Sequence, residues 1–200
     1  MPAKLFNKYP YDVEVRDQSL AQYIAFPLVT IPHTFARHAG KAFAKSKVNL
    51  VERLANKLMR GGTGEKLSGK VIRTHGGLQG KKTTVLKAIE QAFDEVARRT
   101  NGNPIQAFVR AVENSAPRED TTRVRFGGIS YQLAVDVSAS RRLDMSLRNI
   151  ALAAILGSFG SKTSLASALA NEIVLASAGD QASYAIKRRN DGERMAKSAR

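Results

Sequence analysis

The chain has no cysteine and no tryptophan among its 200 residues, and aromatic residues make up only 6% of it. Without cysteine there can be no disulfide and no zinc–thiolate module, and the lack suits a reducing compartment. So few aromatics exclude base stacking as the main device for holding a nucleic acid. No apolar run approaches the roughly 20 residues that a membrane-spanning helix needs. The N-terminus shows no charged segment leading into an apolar one, so no secretory signal is expected. His33, His38 and His75 have no second histidine or carboxylate at metal-ligand spacing, and each reads as a surface or RNA-contacting histidine. Neither a cofactor nor a small-molecule substrate is therefore expected, and no membrane partner.

Acid is also in deficit. The 17 Asp and Glu stand against 32 Lys and Arg, for a formal net charge of +15. Such a field says little about fold and favours a polyanionic partner. Hydrophobic residues make up 43%, enough for one ordinary core.

The first 46 residues have little periodicity, are punctuated by Pro2, Pro10, Pro27 and Pro32, and become basic at Arg37, His38, Lys41 and Lys45, with Lys47 just beyond. They read as an extended arm, with a disordered tail as the alternative; Tyr23, Ile24, Phe26, Leu28, Val29 and Ile31, which give it something to bury, favour the arm. Residues 47–200 read as a helical nucleic-acid-binding domain. The spacing predicts helices over Asn49–Arg60, about Lys81–Arg99, from Asn103-Pro104 onward, about Ser140–Ser158 and about Ser164–Ala178. In the first, Val51, Leu54, Ala55 and Leu58 take the inner face, with Glu52, Arg53, Asn56 and Lys57 opposite. Residues 180–200 carry Lys187, Arg188, Arg189, Arg194, Lys197 and Arg200 on nearly every face. They suit either a solvated tail or a helix ordered by phosphates.

Pro117–Met145 is the exception to the helical period. Gly127-Gly128 suits a primed turn with positive φ at both positions, and residues 121–137 then form a β-hairpin. Phe126 would pair with Ile129, Val124 with Tyr131 and Thr122 with Leu133 on an apolar face. Arg125 opposite Ser130 and Arg123 opposite Gln132 make the other face cationic. A lone two-stranded ribbon is marginal in water and is expected to lean on a partner. The fold class is thus mainly α: a helical bundle of about six helices, a protruding two-stranded hairpin and an N-terminal arm.

Catalytic constellations are wanting. Gly76 and Gly80 enclose three residues where a P-loop needs four, and Lys82 stands where its hydroxyl should be, so Gly61–Gly80 reads as a flexible basic loop around Val71-Ile72. Glu113, Glu119 and Asp120 read as turn chemistry or as partners of Arg118 and Arg123. Basic residues lie in arm, loops, hairpin and tail: Arg37, His38, Lys41, Lys47, Arg60, Lys66, Lys70, Lys81, Lys82, Arg118, Arg141, Arg142, Arg148, Lys187, Arg188, Arg189 and Arg194. That dispersed pattern suits structured RNA, whose shape, backbone and 2′-hydroxyls are what a protein can read. A helical DNA-binding protein of chromatin or transcription type is the alternative. A nucleotide-using enzyme comes third.

Four segments carry a resemblance to a known family. They are VERLANKLMR from Val51, NPIQAFVRAVEN from Asn103, the hairpin RVRFGGISYQ from Arg123 with Asp136-Val137-Ser138 and Arg141-Arg142, and LANEI from Leu169 leading to Lys187-Arg188-Arg189 and Glu193-Arg194-Met195-Ala196. In order and separation the chain resembles the universal family of the seventh small-subunit ribosomal protein, over nearly its whole length. The loop Gly61–Gly80 and the ending at Arg200 look like the archaeal and eukaryotic branch. The resemblance implies a non-enzymatic, cytoplasmic constituent of the small ribosomal subunit that binds the 3′ major domain of its RNA and nucleates head assembly. It implies further that Arg123, Arg125, Gly127, Gly128 and Tyr131 belong to an exit-site hairpin near tRNA, mRNA and the eleventh small-subunit protein. Arg141 and Arg142 map onto the helix start after it, and Lys187, Arg188, Arg189 and Arg194 onto a basic C-terminal helix.

Overall fold

The structure, a computed structural model, describes residues 3–60, 62–67, 70–73 and 77–200, with the backbone alone for 62–67 and 70–73. Seven α-helices and two antiparallel strand pairs occur among the described residues. The helices are α1 (Gln18–Ala21), α2 (Leu50–Leu58), α3 (Lys82–Thr100), α4 (Pro104–Ser115), α5 (Ala139–Ser158), α6 (Leu165–Ala178) and α7 (Tyr184–Ser198). Each of the five helices expected from apolar spacing forms, within a few residues of the anticipated ends. Asn103 caps α4 by accepting the Ile105 N–H at 3.1 Å, with Pro104 in the first turn where its missing N–H costs nothing. Gly179 closes α6 in the left-handed conformation, φ 77°.

Helix α6 is the centre of the bundle, packing on α3, α4 and α5. Small residues make this possible. Ala166, Ala170 and Ala176 are buried on α6, and a Cβ on Gly157 would meet the Ala168 Cβ at 3.3 Å. The core holds the apolar faces read from the sequence, with Phe93 and Phe108 in contact at a centroid distance of 5.8 Å. Tyr9 meets Phe93 edge-on at 6.5 Å.

The arm is docked onto this core. Leu5 and Leu20 are wholly buried within it, although the sequence pattern had not marked them. Tyr23, Ile24 and Phe26 pack partly, whereas Leu28, Val29 and Ile31 face solvent. Polar clamps hold the arm along α3 and α4. Lys8 reaches Glu90 at 2.8 Å and Asp94 at 2.9 Å, and Asn103 donates to the carbonyls of Pro10 and Asp12. Gln106 accepts the Glu14 N–H at 2.8 Å, and Glu113 accepts the Arg16 and Asp17 N–H groups. Burial and the hydrogen bond to Asp94 push the Tyr9 hydroxyl up to about 12.

Two expectations need correction. Gly61–Gly80 is not simply a loop, because Gly62–Leu67 (β1) and Lys70–Arg73 (β2) pair antiparallel. The β-branched Thr63, Val71 and Ile72 favour extended backbone there. And the supposed outer face of α2 is not outer: Glu52 is 1% exposed and Arg53 4%. The arm and α5 cover them, and each has an ionic partner from a distant element, as buried charges require. Residue His75 lies outside the described residues.

Candidate nucleic-acid interface

Strands β3 (Glu119–Phe126) and β4 (Ile129–Asp136) pair in the register the turn predicts, from Phe126↔Ile129 through Arg125↔Ser130, Val124↔Tyr131 and Arg123↔Gln132 to Thr122↔Leu133. Gly127 and Gly128 turn the chain at φ 57° and 84°. Every residue from Thr122 to Leu133 is exposed, and Phe126 is 80% exposed. The side chains of Arg123 and Arg125 have no partner among the described residues and are held only by the ladder.

The base of the hairpin leans on α7. Glu193 accepts the Arg118 N–H at 3.1 Å, Arg200 pairs with Glu119, and Arg141 lies 3.6 Å from Asp120. The side chains of Glu119 and Asp120 thus pair with Arg200 and Arg141 rather than with Arg118 and Arg123, and Glu113 serves the arm. The support the ribbon needs comes in part from its own chain.

Helix α7 itself is well founded. Glu172 of α6 accepts the Ser183 hydroxyl at 2.6 Å and the Ala185 N–H at 2.9 Å, while Ser183 caps the Ile186 N–H. Ala185, Ile186 and Ala196 are buried beneath it. Lys187 and Arg188 are exposed, Arg188 stacking over Tyr184 at 5.3 Å. Arg189 is half-buried and donates to the Asn114 carbonyl. Arg194 reaches Asp191 at 3.1 Å in an exposed pair, worth little in water.

Burial and pairing sort the remaining basic residues. Lys82 is turned inward onto Glu52, which also accepts the Thr34 N–H and hydroxyl at 2.9 Å. Burial pushes the Glu52 carboxyl up, but the hydrogen bonds from Lys82 and Thr34 outweigh it and hold it below its ordinary range. Arg142 is 8% exposed and ties the start of α5 to Asp17 at 2.9 Å and to the Pro117 carbonyl at 3.2 Å. Both cations hold the fold together. In contrast, Lys41, Lys47, Arg60, Lys81, Arg118 and Arg148 are exposed, as is Arg37, whose guanidinium lies 5.7 Å from the Phe35 ring centre. His38 sits beside Thr34 at 3.2 Å. The side chains of Lys66 and Lys70 lie outside the described ones.

One cluster was not anticipated. Asp144 of α5 gathers Lys45 from the 3-10 turn Ala44–Lys47, Arg53 at 3.3 Å and Lys57 at 3.5 Å. Its carboxyl is raised by burial, yet pairing with Lys45, Lys57 and Arg53 brings it below the ordinary value. The available signal was the spacing of Arg53 and Lys57, which puts them along one side of α2, with Arg60 just past its end.

Among the described residues no group of histidines and carboxylates is placed to hold a metal, and no helix is long and apolar enough to cross a membrane. The arrangement is a helical body presenting separate cationic elements: arm, hairpin, α5 flank and α7.

Comparison with known proteins accords with that arrangement. The family described as ribosomal protein S7p/S5e matches residues 21–200. The chain is 45% identical to the small ribosomal subunit protein uS7 of Methanothermobacter thermautotrophicus over 196 residues, 98% of each chain. It is 43% identical to the proteins of the same name from Methanosphaera stadtmanae and Methanococcus aeolicus, over the full length of each.

Proposed function

Since the chain belongs to the S7p/S5e family of ribosomal proteins and is a non-enzymatic structural constituent of the small ribosomal subunit, we propose that it works there by clamping the 3′ major domain of the subunit's RNA and nucleating the head. Residues 1–46 act as its arm and residues 47–200 as its RNA-binding body. Exposed Lys and Arg on the arm, around Arg60 and Lys81, on α5 at Arg141 and Arg148, and on α7 at Lys187 neutralise phosphates. The released counterions supply most of the affinity. A multihelix junction satisfies all these groups together only when it is folded, so binding stabilises the folded junction by mass action. The protein acts in the cytoplasm.

The hairpin has a different task. Arg123, Arg125 and Tyr131 stand at the exit site, beside its tRNA and the upstream mRNA, with the eleventh small-subunit protein as neighbour. The observation that carries this reading is the hairpin's exposure on both faces: a ribbon so little used by its own fold is available to partners.

The test is binding to a 3′ major-domain fragment, beside an unrelated folded RNA of equal length and a DNA duplex, across a salt series. A preference for the ribosomal fragment that persists at moderate salt is expected. Equal affinities collapsing together with salt overturn the shape-specific clamp, and preference for the duplex points instead to DNA binding.

A further inference from the structure

The Asp144 cluster lines a groove of about 300 Å³ between the arm, α2 and α5. Its charged walls are Lys45, Arg53, Lys57, Arg60 and Asp144, with His38 beside them. Four permanent cations therefore face one carboxylate. By contrast the other buried cation among the described residues, Arg142, has Asp17 as a carboxylate of its own, and the half-buried Lys82 has Glu52. A charge taken out of water needs matched charges and hydrogen bonds, and the buried member of this cluster, Arg53, is short of an acceptor.

The shortage is visible at Arg53. Its side chain is 3% exposed. One terminal nitrogen donates to the Tyr23 carbonyl at 3.0 Å and the other to Asp144 at 3.3 Å. Its Nε is buried with no hydrogen-bond partner. Arg53 nevertheless lines the groove beside Lys45, Lys57 and Arg60, and a guanidinium fork among further cations matches the geometry of an oxyanion. Burial lowers the Lys57 ammonium, Asp144 only partly restores it, and Lys45 and Arg60 add like-charge repulsion. The excess is relieved by an added negative group.

We propose that this groove is a binding site for one phosphate group, held by Arg53, Lys57, Lys45 and Arg60, with Asp144 keeping the cations in place beforehand. In the subunit that phosphate belongs to the RNA backbone, and to that extent the proposal rests on the RNA-binding reading above. The affinity of the groove for inorganic phosphate does not.

The experiment titrates the full-length protein, labelled with 15N at arginine, with inorganic phosphate and then with the 3′ major-domain fragment, following the Arg53 Nε–H signal. Lys57→Gln is compared with Lys87→Gln, which removes an exposed lysine of α3, and urea melts verify that both are folded. A saturable shift of the Arg53 signal by phosphate is expected. Lys57→Gln should weaken phosphate binding roughly tenfold, the loss expected for a hydrogen bond to a charged group. It should also lower the salt slope for the fragment by about 1, with Lys87→Gln unchanged. An Arg53 signal that stays put, or two variants that behave alike, overturns the site. Phosphate binding without preference for the ribosomal fragment upholds the groove and removes the RNA reading. Fragment preference untouched by Lys57→Gln does the reverse.

Discussion

Glu172 on α6 accepts the Ser183 hydroxyl at 2.6 Å where the chain enters α7, and both side chains are buried. This contact anchors a helix whose own pattern is almost wholly polar. It also accepts the Ala185 N–H, so a single carboxylate satisfies donors that a helix start leaves open. Replacing Glu172 by Ala strands these groups. The expected cost is about 1–3 kcal/mol, read by urea denaturation, with loss of hydrogen-exchange protection at the start of α7. Unchanged protection there would remove Glu172 as the anchor.

Acid should loosen the fold through a defined set of carboxylates. Glu52, Asp17, Asp94 and Asp144 all lie below their ordinary values, which are 4.5 for Glu52 and 3.8 for the aspartates. In each, burial alone acts in the opposite sense and is outweighed by hydrogen bonds from Lys82 and Thr34, from Ser19 and Arg142, from Tyr9 and Lys8, or from Lys45. A carboxyl whose folded value is depressed adds stability that is complete above its unfolded value and is lost as pH falls through the folded one. Stability should therefore decline as the solution is taken below 4.5. Glu52→Gln should be less stable at neutral pH and lose less on acidification. Urea melts across that range check it, and parallel slopes for the two proteins would exclude Glu52 from the set.

Phe93 sits at zero exposure between Tyr9 of the arm and Phe108 of α4. Phe93→Ala should cost roughly 3–5 kcal/mol. Because the arm packs on this ring, the melting transition should carry the arm with it. An unchanged transition would mean that the ring is not in the core.

Arg123 and Arg125 stabilise nothing within the chain. Their joint replacement by Ala should change folding stability by less than about 0.5 kcal/mol. Affinity for the isolated 3′ major domain should stay close to wild type, while tRNA retention at the exit site of reconstituted subunits should change. Abolished binding to the isolated RNA would dissolve the separation between body and hairpin.

Local information is enough where an element is decided by its own residues. Gly127-Gly128 with alternation on both sides determines the register of β3 and β4, because side chains alternate every residue and only one pairing suits that turn. The inner faces of α2 to α6 follow from three-and-four spacing, and the start of α4 from Asn103-Pro104. Four segments and their order also suffice to identify the family.

What the sequence could not decide is the use of each charge. Arg142 and Arg123 are the same residue type in neighbouring elements, yet one is buried against Asp17, 125 positions away, and the other stands in solvent. Burying a charge requires a partner, and periodicity carries no information about a partner brought in from elsewhere in the chain. For the same reason Glu52 and Arg53 pointed outward on a helical wheel until the arm and α5 covered them. The helical state of 184–198 was likewise undecided, since its anchor lies on α6 and its packing surface on β3 and α5. By itself the sequence determined the elements, the hairpin register and an excess of positive charge. The tertiary structure alone decided which cations hold the fold together, and which are left with too few acceptors and remain open to an anion.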